Sequence, residues 1–142
     1  MVKKTYFDYL KDEMEEIKNS NESFDEVVLY IPRIFELLCN ILDDDTIDRN
    51  SRLLISSSLG YLVNPNDVLP EEVYGAYGYM DDLYALCIVL RNLDADYKDL
   101  IRKLWQDSDY DRIIDMCISR SEKFLDEKNL KEKLLRYCGF SD

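Results

Sequence analysis

SRLLISSSLGYLVNPNDVLPEEVYGAYGYMDDLYALCIVLRNL, residues 51–93, is the stretch that decides the fold. Leu53, Leu54, Ile55, Leu59, Tyr61, Leu62 and Val63 recur at helical spacing, with Ser56-Ser57-Ser58 as the only polar break after Arg52. Asn64-Pro65 stops this helix, because a proline pushes the residue before it out of the helical region. After a loop of Pro, Asp and Gly ending at Gly78, Tyr79–Leu93 forms a second helix carrying Leu83, Leu86, Ile88, Val89 and Leu90. It is apolar on most sides, and an all-round apolar helix belongs inside a fold. The two helices define a central apolar hairpin, with the first expected to be central as well.

The same three-to-four spacing extends in both directions. Upstream, a helix starting near Thr5 carries Tyr6, Leu10, Met14 and Ile17 and ends at Asn19-Ser20-Asn21. Ser23 and Glu26 have capping-box spacing before the stripe Phe24, Val27, Val28, Ile31, Phe35, Leu38 and Leu42. Pro32 lies within that stripe and predicts a kink or a new helix start. Thr46 is placed to cap the third helix, whose apolar stripe begins at Ile47. Downstream, Tyr97, Leu100, Ile101 and Leu104 form a separate short stripe with Trp105 beside it. Ser108 can cap a helix bearing Tyr110, Ile113, Ile114, Cys117, Ile118 and Phe124, and a last helix runs from about Asp126 to Cys138 with Gly139 as its cap. The expectation is all-α: one domain over residues 1–142, a single compact bundle of six or seven helices.

Composition narrows the chemistry. Lys plus Arg is 18 and Asp plus Glu is 30, for a net charge of -12, and histidine is absent. Without imidazole there is no Ser-His-Asp or Cys-His catalysis and no zinc site that needs histidine. The acid excess disfavours nucleic acid and anionic membrane surfaces, whose affinity comes from Lys and Arg. Residues 1–50 carry 6 basic and 13 acidic side chains, residues 51–100 carry 3 and 8, and residues 101–142 carry 9 and 9. The net negative charge therefore lies wholly in the first 100 residues, and no basic residue occurs between Arg52 and Arg91. Cys39, Cys87, Cys117 and Cys138 form no CxxC pair and read as free thiols in a reducing compartment. Val2-Lys3-Lys4 is followed by Thr5-Tyr6-Phe7-Asp8 rather than an apolar run. These features lead to the expectation of a soluble cytoplasmic protein.

Pro65, Asp67, Pro70, Gly78, Asp81 and Asp82 fit a P-x-D-x-x-P loop followed by G-x-x-D-D at a helix start. Over about residues 51–93 the chain resembles the YkvA-like family of unknown function (DUF1232). That resemblance implies a helical hairpin with a stereotyped loop and implies no activity. Many relatives carry more continuous apolar helices here and are suspected of membrane association. This chain departs with Ser56–Ser58, and with Glu71-Glu72-Val73-Tyr74-Gly75 in place of a more apolar, proline-containing turn; membrane association is therefore not expected.

Each motif residue also has a local reading. The prolines stiffen the loop, Asp67 accepts from amides of its own turn, and Gly78 gives backbone freedom or close packing. Asp81 and Asp82 occupy a first helical turn, where the dipole favours carboxylates. As a functional alternative, Asp67, Asp81 and Asp82, with Glu71, could hold a hard cation, Mg²⁺ or Ca²⁺. Against it, neighbouring side chains on a helix point about 100° apart, which makes Asp81 and Asp82 poor co-ligands. Asp107-Ser108-Asp109-Tyr110-Asp111 starts like a calcium loop, but Arg112 and Ile118 stand where glycine and glutamate are required. Asp43-Asp44-Asp45, Glu71, Glu72, Tyr74 and Tyr77 are the candidate partner surface. The sequence thus favours a non-enzymatic interaction module binding a basic protein in an inhibitor, immunity-type or adaptor role, with no resident cofactor. A cation-binding protein and a membrane-associated hairpin are the alternatives.

Overall fold

The computed structural model describes residues 5–21, 23–63, 75–128 and 130. Its described residues are helical, without strands. The order is α1 (Tyr6–Asn19), a 3₁₀ turn (Glu26–Tyr30), α2 (Ile31–Leu42), α3 (Arg49–Val63), a second 3₁₀ turn (Gly75–Tyr79), α4 (Met80–Trp105) and α5 (Tyr110–Glu127). The described residues therefore hold five α-helices. The last expected helix begins inside α5 and otherwise lies outside the described residues.

α4 is the central element: α2, α3 and α5 all pack on it, and α1 reaches the core through α2. From Tyr79 to Leu90 only Ile88 is less than fully buried. The expectation that the third helix would be equally central fails. α3 buries one row, Ile55, Ser58, Tyr61 and Leu62, while Leu53 and Val63 are more than half exposed. Its wide apolar surface comes from residues on more than one face, and only one face can meet α4. Ser58 removes bulk from that contact and returns its hydroxyl to the Ile55 carbonyl at 2.8 Å.

α4 also absorbs the short stripe expected to be a separate helix. Asp94-Ala95-Asp96 contains no residue that forbids a helix, so the chain continues. The change of stripe direction survives as a kink at Tyr97, whose φ of -129° and ψ of 26° are non-helical. The Tyr97 hydroxyl donates to Asp48 Oδ2 at 2.7 Å and accepts from the Asp48 amide at 3.0 Å. α4 ends at Gln106, whose φ of 78° is left-handed and whose N–H reaches the Arg102 carbonyl.

The start near Thr5 holds: Thr5 and Asp8 form a reciprocal capping box. Pro32 marks a new helix start, since it sits in the first turn of α2, where no amide donor is needed. Three expected caps are not used: at two an aspartate nearer the helix takes the role, and at the third the aspartate before the helix makes no cap bond. Asp25, rather than Ser23, accepts from the Val27 amide. Asp48, rather than Thr46, accepts from the Ser51 amide at 2.8 Å, directly before Arg49. Thr46 instead turns back on Asp44. Asp109, rather than Ser108, precedes α5, and its carboxylate receives the Trp105 indole N–H at 2.8 Å.

Arg52 closes the α2–α3 connection. Its guanidinium donates to the carbonyls of Leu42 (2.7 Å), Asp44 (2.8 Å) and Ile47 (3.2 Å), satisfying the C-terminal end of α2. A planar fork of donors is needed for three acceptors, and a lysine ammonium does not supply it. Arg52→Ala is expected to lower stability in urea unfolding by about 1–3 kcal/mol, with Arg52→Lys recovering only part of the loss.

Candidate functional site

The residues singled out in sequence divide sharply in the fold. Pro65, Asp67, Pro70, Glu71, Glu72 and Tyr74 lie outside the described residues. Gly78 is buried in the 3₁₀ turn before α4. Tyr77 is half-buried and stacks on Phe124 of α5 with ring centroids 5.4 Å apart. Asp43 and Asp45 are exposed at the α2–α3 connection, whereas Asp44 is tied to Thr46, which holds its carboxyl below the usual range.

Asp81 and Asp82 are 0% and 1% exposed, so the carboxylates that seemed to crown a helix start are interior groups. Both lie in the first turn of α4. The dipole there contributes about 0.3–1 kcal/mol, against several kcal/mol for removing a carboxylate from water. Hydrogen bonds must supply the difference. Asp81 Oδ1 accepts the Asp82 amide at 2.9 Å, and Asp81 Oδ2 accepts the hydroxyl of buried Tyr61 from α3. Both Asp81 oxygens are thus engaged within the hairpin. Tyr61 is the residue that sequence reasoning missed, having been read as one more apolar position. The available signal was an aromatic hydroxyl in the last turn of an otherwise apolar stripe facing an aspartate at the next helix start.

The Tyr61 contact belongs to a wider pattern. Tyr79 donates to Glu13 of α1 at 3.3 Å, Tyr84 to Glu122 of α5 at 3.1 Å, and Tyr97 to Asp48, while Tyr6 reaches the Leu62 carbonyl at 3.3 Å. Tyrosine, a neutral donor with a large apolar body, joins helix to helix where carboxylates are plentiful and cations scarce.

Other polar groups are structural in arrangement. Arg102 bridges Asp94 and Asp111, which pushes its pKa up further, and it lies 5.0 Å from the Tyr110 ring centroid. Arg33 stacks on Trp105 at 3.7 Å and pairs with Asp107. Burial pushes the Cys87 thiol well up, with Cys117 beside it adding to the shift, so it is a poor nucleophile. A groove of about 400 Å³ between α1 and α2 has Phe7, Met14, Leu29 and Pro32 among its walls, rimmed by charges of both signs. Among the described residues no group of three or more His, Cys, Asp or Glu is placed to hold a metal ion. None of their helices is long and apolar enough to cross a membrane.

Known proteins resemble this chain over the hairpin segment and, in one case, over most of its length. The chain belongs to the DUF1232 family of proteins of unknown function, whose family model matches residues 51–88. The Uncharacterized protein ORF9 of Methanothermobacter thermautotrophicus is 32% identical over 129 residues, 88% of this chain and 86% of that protein. The E3 ubiquitin-protein ligase RNF170 of Xenopus tropicalis is 35% identical over 49 residues, 34% of this chain and 19% of the ligase. Its counterpart in Danio rerio is 33% identical over a segment of the same length. No solved structure matches.

Two expectations follow. Tyr61→Phe is expected to cost about 1–3 kcal/mol in chemical unfolding, because it withdraws a donor from a buried carboxylate. Tyr79→Phe, whose partner Glu13 is only partly buried, is expected to cost less than about 1 kcal/mol. Equal losses would contradict the weight placed on Tyr61.

The second expectation concerns alkali. Burial, then the hydrogen bond and charge of Glu122, raise Tyr84 above the ordinary 10.0; burial, then the charge of Asp94, raise Tyr110. The folded chain thus keeps protons that the unfolded chain releases, so their stabilisation is complete below about pH 10 and declines as pH rises beyond it. Unfolding free energy measured from pH 8 to 11 should fall above about pH 10, and Tyr84→Phe should flatten the fall. An unchanged slope in the variant would remove Tyr84 from this account.

Proposed function

We propose that the chain is a single compact helical domain that catalyses no reaction and acts by protein contact, presenting an acidic surface to a basic protein partner in the cytoplasm. The observation that carries this reading is the sorting of its carboxylates. Asp81 and Asp82 are enclosed, while Asp43, Asp45, Asp48, Asp96 and Asp99 are exposed. The Tyr97–Asp48 bond brings the α2–α3 connection against the α4 kink, and Asp96 and Asp99 flank that kink in sequence. Asp48 meets Tyr97 directly, Asp43 and Asp45 lie on the same connection as Asp48, and all five exposed acids fall in the part of the chain that holds the net charge of -12.

Such a field speeds association with a positively charged partner and rejects anionic ones. An inhibitor, immunity-type or adaptor role fits this chemistry. The likeness of 49 residues of this chain to a ubiquitin ligase supports reading part of it as a helical module used in different protein settings. The ligase's own activity is not part of the proposal, since the match spans only 19% of that protein.

Affinity capture followed by mass spectrometry tests the reading. Basic proteins are expected to be retained at low salt and lost as ionic strength passes about 0.15 M, where screening acts within about 8 Å. A variant with Asp43, Asp45, Asp96 and Asp99 all changed to Asn should capture less at low salt. Capture indifferent to both salt and variant would overturn the proposal. In the same preparation, millimolar Mg²⁺ or Ca²⁺ should leave the melting temperature unchanged, whereas a rise would favour a cation-binding protein.

A further inference from the structure

We draw no further inference here: the strongest candidate, the charge-free exposed face of α3 running through Leu53, Ser56, Ser57, Gly60 and Val63, carries no proposal because nothing in the structure shows what covers it.

Discussion

Enclosing two carboxyl groups at the start of the central helix is the constraint around which this fold is arranged. Asp81 and Asp82 enter the interior with the first turn of α4. A helix dipole is too weak by itself to offset that burial. The Tyr61 hydroxyl therefore has to arrive from α3, and it can do so only if the two helices hold one register. Ser58 lies one turn earlier on the same row and keeps the helices close, and Ile55 continues the row. The hairpin of this chain is thus held by a polar contact inside an apolar interface, not by apolar packing alone.

The same economy of cations shapes the rest of the molecule. With 30 acidic against 18 basic side chains and no histidine, many carboxylates have no cation to meet. Tyr79, Tyr84 and Tyr97 take that place between helices. The few arginines that matter are used several times over. Arg52 serves three carbonyls, Arg102 two carboxylates, and Arg33 an indole, a carbonyl and Asp107. Exposed pairs such as Arg91–Asp115 contribute at most about 1 kcal/mol. Stability therefore comes chiefly from burial around α4 and from these partly enclosed polar joints.

Much of this was legible in the sequence. The apolar rows of α1 and α5 and the burial of α4 follow directly from helical spacing, and Pro32 marked a helix start, but in α2 the buried row runs through Ile34, Leu37 and Ile41 and leaves Phe35 and Leu42 of the expected stripe half-buried. Cap assignment slipped at Ser23 and Thr46 because aspartates compete for the same role, and at Ser108 because α5 starts one residue later without a side-chain cap. The prominence given to α3 failed because composition does not say which of several apolar faces is used. The Asp81 and Asp82 motif was visible, but its burial was not. A first-turn aspartate looks the same in sequence whether it faces water or a tyrosine from another helix 20 residues away. For the same reason the exposed acids could not be told from the enclosed ones before the fold was known.

That sorting links the fold to the proposed function: acids turned inward hold the hairpin, and acids turned outward are available to a partner. The inward half rests on a direct energetic coupling between Tyr61 and Asp81. A double-mutant cycle with Tyr61→Phe, Asp81→Asn and the combined variant, followed by urea unfolding, measures it. A coupling energy of about 0.5–1.5 kcal/mol is predicted, as expected for a buried hydrogen bond. Additive losses, with a coupling within about 0.3 kcal/mol of zero, would contradict it.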